Sequence, residues 1–358
     1  MQKKYNFMNL LRALSMIAIV FYHMVITLYI YGIRQHESIS FLFENTNMHI
    51  AKVGVGLFFI LSGCGLMMSS QKPDYNIAKF YKKRFFKILV PFYIVYTFYF
   101  VYLISTGQML YSNPFEGRKI SPYSFIFTLL GMDTYMGVFN IPTFSIGIGE
   151  WFLGCLILMY ILFPFLKRMM QKNAYITIAI ATLYYVLINL QYKYFECFDN
   201  VPMYMNLSIK IYDFILGMFL ATILHKLPKF TCYLGLIVNL FFVFCPIELP
   251  GIDSFQIVIQ CLSAFLFFAG LENSIKKAPI VIHVSDKICK YSYEYFLIHH
   301  VVILELTKNG QNVAFSNLDI LLLFITEIIV TTMLAICLKF ITDFLPQKIK
   351  KTLNKTHN

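Results

Sequence analysis

Arg12 and His23 stand eleven residues apart in the otherwise apolar run Asn9-Leu-Leu-Arg12-Ala-Leu-Ser-Met-Ile-Ala-Ile-Val-Phe-Tyr-His23. Eleven residues make three helical turns, so on a helix both side chains share one face, about 16 Å apart along the axis. A charged side chain at membrane depth is costly, which makes each one a functional candidate. Histidine suits general-base or nucleophilic work near neutral pH. A structural account competes with this one: Arg12 snorkels to an interface and a neighbouring helix satisfies His23. Four further groups carry polar chemistry in apolar surroundings: Lys52, with Ser62 ten residues later; the basic run Lys82-Lys83-Arg84-Phe-Phe-Lys87; Glu150-Trp151; and His299-His300. Each also has a plainer account. Small residues around Gly56 and Gly63 permit close helix packing, and a basic run is ordinary for a cytoplasmic loop.

The elements that must position these residues follow from composition. Of 358 residues, 58% are hydrophobic and 13% charged, with 37 Phe and 25 Tyr; soluble domains average about 45–50% and 25%. Mean hydropathy is +0.66. A water-soluble globule, a disordered chain and a disulfide scaffold are all excluded. The net charge of +12 would suggest nucleic acid in a soluble protein; in a membrane protein it belongs on cytoplasmic loops, so no nucleic-acid partner is expected. The eight cysteines lie singly, without metal spacing, and read as buried free thiols. The first apolar run is too long for a signal-peptide core and remains as a helix.

Crossing the hydrocarbon takes about 20 apolar residues. Ten stretches qualify: 7–31, 51–69, 88–106, 149–166, 174–192, 207–224, 231–247, 254–271, 291–307 and 318–341. A shorter apolar piece, 123–131, sits in the Pro-containing segment 107–148 and reads as interfacial or re-entrant. With the N-terminus inside, the inner segments hold 21 Lys and Arg and the outer loops 5, the other four falling within spans. That alternation predicts an all-α polytopic membrane protein of about ten transmembrane helices, both termini cytoplasmic. The expected organisation is a single membrane domain over 1–358 with no appended soluble domain.

In order along the chain stand Arg12 and His23, Gly56-x-Phe-Phe-x-Leu-Ser62-Gly63, Arg84-x-x-Lys87-Ile88 ahead of Pro91, Trp151-Phe-Leu with Tyr160 and Pro164, Phe214-x-Leu-Gly217, and Ser292-Tyr-x-x-Phe-Leu-x-His299. Together, over residues 9–300, they resemble the motifs of the acyltransferase-3 family of membrane acyltransferases. The chain departs from them twice. Lys87 stands where the basic motif usually has Arg, giving a point charge in place of a planar fork, and Glu150 stands near the place of a common His.

The resemblance implies ten helices and acyl transfer, most often of acetyl from cytosolic acetyl-CoA to a hydroxyl of a cell-envelope polysaccharide, capsular or exopolysaccharide, or its lipid-linked precursor. On that reading His23, with Arg12, His299 and Glu150, forms the catalytic set, and Arg84, Lys83 and Lys87 bind the coenzyme A phosphates. Trp151, Lys52 and Ser62 contact substrate. The expected partners are acyl-CoA, an envelope glycan or lipid-linked sugar and membrane lipids, in the plasma membrane, with no metal; a homo-oligomer is compatible. A transporter, or a lipid- or sugar-binding membrane protein without catalysis, is the rival reading; no paired halves with matching broken helices are evident, as many transporters show. The charge alternation generates one direct expectation. A topology reporter fused after Asn358 should face the cytoplasm and one placed within 107–148 the outside; a C-terminal reporter active outside the cell would remove the ten-helix scheme.

Overall fold

The computed structural model describes residues 5–30, 50–71, 75–107, 120–195, 203–228, 230–244, 253–310 and 315–355. The described part of each of the ten apolar stretches coincides with one helix: α1 Asn6–Ile30, α2 Ile50–Ser69, α3 Ile77–Ser105, α4 Glu150–Lys172, α5 Ala174–Tyr194, α6 Leu207–Ile223, α7 Thr231–Phe244, α8 Asp253–Gly270, α9 Pro279–Thr307 and α10 Asn317–Lys355. Among the described residues there is no strand. Helices are the expected outcome even for segments rich in Phe, Tyr and Ile, because hydrocarbon offers no partner for a backbone amide left outside a helix. Seven of these helices, α1 to α6 and α10, are long and apolar enough to cross a membrane. Among the described residues the other three expected spans do not qualify: α7 and α8 are short there, and α9 carries Asp286, Lys287, Lys290, Glu294 and Glu305 within its length. The piece at 123–131 folds as the short helix Phe125–Leu129 beside Asp133–Met136, neither able to span.

Local chemistry sets the helix ends. The Asn76, Asn173 and Asn206 side chains accept the amides of Lys79, Ile176 and Ser208, satisfying donors that a helix start leaves open. Pro279 occupies the first turn of α9, where its missing N–H costs nothing. The Glu272 carboxylate accepts the first two amides of α1, from Asn6 at 3.2 Å and Phe7 at 2.9 Å. Two starts differ from expectation: α3 begins at 77 and α9 at 279. The basic run 82–87 and Lys290 therefore sit on ordered helical turns, not in loops.

The closest crossing joins α2 to α6. A Cβ added at Gly63 would run into the Phe214 carbonyl, and one at Gly217 into the Ile60 carbonyl, so each glycine receives the other helix's backbone. Gly56 likewise faces Cys261 Sγ on α8, 2.7 Å from where a Cβ would stand. On the outside, apolar side chains remain exposed along α10 (Leu318, Ile329, Met333, Phe340) and α7 (Tyr233, Ile237, Phe244), as a lipid-facing surface requires. Among the described residues Cys64, Cys155, Cys232, Cys261, Cys289 and Cys337 are free thiols; Cys337 is exposed on α10 rather than buried, and Cys197 and Cys245 lie outside the described residues.

The glycine seam is a stability device open to test. Gly63→Val or Gly217→Val should lower the melting temperature of the detergent-solubilised protein by an amount equivalent to about 1–3 kcal/mol or more, as overpacking of a fitted core does. Substitution at the open Gly65 of the same helix, whose Cβ would meet only Met8 Cε at 4.0 Å, should be nearly neutral.

Candidate active site

α1 and α9 run side by side and parallel. Asn9 Nδ2 donates to Asp286 Oδ1 at 2.6 Å, a pair 277 positions apart. Farther along, Arg12 lies against Cys289, and His23 meets His300 with ring centroids 4.1 Å apart. These two pairs keep the same sequence offset, so one seam joins both polar levels of α1 to α9.

At the first level a cavity of about 350 Å³ opens between α1, α2, α3, α4, α9 and α10. Five cations line it: Arg12, Arg84, Lys87, Lys290 and Lys339. One carboxylate, Glu294, lines it too, and it is already paired with Lys339 at 3.1 Å. Arg84 stacks its guanidinium over Tyr160 at 5.0 Å and Phe80 at 5.4 Å, and its buried Nε has no partner in the protein. Ser62 and Tyr160 add hydroxyls 3.3 Å apart. Like charges gathered in a partly enclosed space repel strongly, so the arrangement suits a polyanionic ligand. Lys83 is exposed and is not among the residues lining the cavity. Lys290 and Lys339 are lining residues that sequence reasoning missed, because in sequence they look like topogenic charge and a stray lysine in a span.

At the second level three histidines meet. The His23 ring lies 5.3 Å from His299 and 4.1 Å from His300, and those two are 4.2 Å apart. Consecutive residues on a helix diverge by about 100°, so His299 and His300 leave α9 in different directions. With α1 packed against this side of α9, both rings nonetheless reach His23. His299 Nδ1 is 2.6 Å from the Phe296 carbonyl. A carbonyl only accepts, so Nδ1 carries the proton and Nε2 the lone pair.

Phe296 belongs to both levels. Its ring lines the cavity, lies 5.8 Å from His299 and 4.6 Å from Phe152, another lining residue. Gly149, at φ +96°, makes room for it, since a Cβ there would stand 2.5 Å from Phe296 Cζ. An apolar wall thus separates the basic cavity from the imidazoles.

The remaining sequence-predicted residues group elsewhere. Lys52 Nζ sits 5.9 Å over the Tyr204 ring, and Trp151 meets the same ring edge-on at 6.3 Å. Tyr204 is an electrostatic neighbour of Tyr22, which touches His23 with ring centroids 5.5 Å apart. This aromatic patch offers a face for a hydroxylated ligand beside the histidines. Glu150 is 3% exposed and spends Oε1 on the amides of Ile146 and Gly147, at 2.8 and 3.2 Å. Its position ties the incoming loop to the start of α4.

A family model described as an acyltransferase domain matches residues 5–343. No curated protein and no solved structure matches the chain.

Because Oε1 serves as an acceptor, Glu150→Gln should keep most of the fold's stability, while Glu150→Ala leaves two amides without a partner. The expected loss for Ala is about 1–3 kcal/mol, read as a lower melting temperature in detergent. Equal melting of both variants and the parent would show that the carboxamide and carboxylate are dispensable to the loop.

Proposed function

The chain belongs to the acyltransferase-3 family of membrane acyltransferases, and from that premise we propose that it transfers acetyl from cytosolic acetyl-CoA to a hydroxyl of a cell-envelope polysaccharide, capsular or exopolysaccharide, or its lipid-linked precursor. The observation that carries this reading is the placement of a five-cation cavity directly behind the Phe152–Phe296 wall from the three histidines. Coenzyme A is polyanionic. Arg84, Lys87, Lys290 and Lys339 neutralise its phosphates, with Arg12 nearest the thioester end. Of its cations, Arg84, Lys87 and Lys290 belong to the segments 70–87 and 272–290, which the Lys and Arg distribution assigns to the cytoplasm; from there the cavity runs inward to Phe152 near the start of α4. In this scheme the ten helices all cross the plasma membrane and both termini are cytoplasmic; the parallel course of α1 and α9 agrees with it, since a first and a ninth crossing run in the same direction.

The acceptor hydroxyl enters from the outer side, along Trp151, Lys52 and Tyr204. His23 takes the hydroxyl proton, the oxygen attacks the thioester carbonyl, the C–S bond breaks, and coenzyme A leaves as the thiol after taking up a proton. Arg12 orients the donor so that its carbonyl reaches past Phe296. Glu150 holds the loop that begins α4, and His299 and His300 position His23.

Two variants separate the halves of the site. His23→Gln should lower glycan-bound acetate by at least the roughly 10²–10⁴-fold that a general base contributes, at matched membrane levels. Neutralising Arg84 and Lys87 together should raise the KM for acetyl-CoA severalfold more than the KM for the acceptor, whereas Lys83→Ala should change neither. Acetate at the parental level with His23→Gln would remove His23 from the mechanism.

A further inference from the structure

Proton transfer needs one histidine and one group to orient it; this site has three. His23, His299 and His300 each offer a ring nitrogen, and these nitrogens all lie within 4.8 Å of one another. His299 is fully buried, and its Nε2, the atom left with the lone pair by the Phe296 bond, has no hydrogen-bond partner. A buried acceptor without a donor costs about 1–3 kcal/mol. An imidazole whose far nitrogen is fixed on a backbone carbonyl, with its near nitrogen open towards other imidazoles, is the usual preparation of a metal ligand.

We propose that His23, His299 and His300 form a three-histidine site for a divalent transition metal of the zinc class. Imidazole nitrogen suits zinc, copper, iron and nickel, whereas magnesium and calcium require oxygen ligands. Three protein nitrogens leave a fourth position for an exogenous oxygen, the pattern of catalytic zinc. At a tetrahedral ion with Zn–N of about 2.0–2.1 Å the nitrogens stand about 3.4 Å apart. Closing to that distance from within 4.8 Å requires His23 and His300 to turn towards His299, whose ring is held on the Phe296 carbonyl. Two neighbouring ligands on α9 and one far upstream on α1 leave no spacing motif, which is why the sequence pointed to no metal.

The inference concerns the site read above as activating the acceptor, so it rests on that reading for any catalytic meaning; metal binding itself stands on the geometry. With an ion bound, His23 would serve as a ligand in place of its role as base: the ion would polarise the acceptor hydroxyl, lowering its pKa as zinc does for water, and the hydroxyl proton would pass to the coenzyme A thiolate as the C–S bond breaks.

The test uses the full chain in detergent, purified through a tag without histidine and stripped with a chelator. Zinc and, separately, cobalt are titrated in, reading bound metal by mass spectrometry, the visible absorption of tetrahedral cobalt and the melting temperature. The expected result is about one ion per chain, a cobalt spectrum of nitrogen-rich tetrahedral type, and a metal-dependent rise in melting temperature. His299→Ala and His300→Ala should each weaken binding by more than the roughly 10–100-fold that loss of an outer-shell partner costs. If a variant fails to fold, titration of the parent chain decides alone. A folded parent chain that takes up neither metal stoichiometrically overturns the site, as does uptake that the histidine variants leave unchanged. A metal-free preparation that still transfers acetyl overturns a catalytic ion and leaves the proposed function standing; a metal-loaded chain that transfers no acetyl does the reverse.

Discussion

The parallel seam between α1 and α9 is the contact on which the site depends. It is anchored near its base, where Glu272 accepts the first amides of α1 and Asn9 bonds Asp286. From there a constant sequence offset carries register upward until His23 reaches His300. Shifting either helix by one residue would rotate its polar side chains by about 100°, separating Arg12 from the cavity and His23 from its partners together. The register is therefore held by hydrogen bonds as well as by packing. In a lipid medium, where apolar burial gives helices little preference for one another, such bonds and close backbone contacts supply the specificity.

The two polar levels differ in how they tolerate burial. The lower one gathers five cations around a space of about 350 Å³ with a single carboxylate. Lys87 and Lys290 are exposed and Arg12, Arg84 and Lys339 half-buried. Among the described residues only Lys339 of the five has carboxylate partners, so the mutual repulsion of the others is what an anion in the cavity would relieve. The upper level uses neutral-capable imidazoles, which survive in apolar surroundings at much lower cost than fixed charges. Between them stand Phe152 and Phe296, and the wall exists only because Gly149 vacates the space that Phe296 fills. On the function proposed above, such a wall would favour transfer to an acceptor hydroxyl over hydrolysis.

The scaffold around these levels is stiff where it must be. Gly63 and Gly217 bring the α2 and α6 backbones into contact, and Ser62, adjacent to that crossing, is thereby held 3.3 Å from Tyr160 and within the cavity wall. Tyr160 in turn supports the Arg84 guanidinium. One small-residue crossing thus fixes the far side of the basic cavity, opposite the α1–α9 seam.

Much of this was legible in the sequence alone. Apolar length placed the helices, because a lipid-crossing segment must satisfy its own backbone. The eleven-residue interval placed Arg12 and His23 on one face, because helical periodicity depends on nothing outside the helix. The motif order identified the family. What tertiary structure decided was which distant groups share a space. Lys290 and Lys339 join Arg12 through helices far apart in the chain, and their charge reads equally well as topogenic signal. Glu150 turns to backbone amides, since the loop before α4 folds over its own helix start. His299 and His300 leave α9 in different directions, yet both reach His23 because α1 packs against that side of α9. Periodicity governs directions within one helix; convergence between helices is set by packing register, which no single stretch of sequence carries.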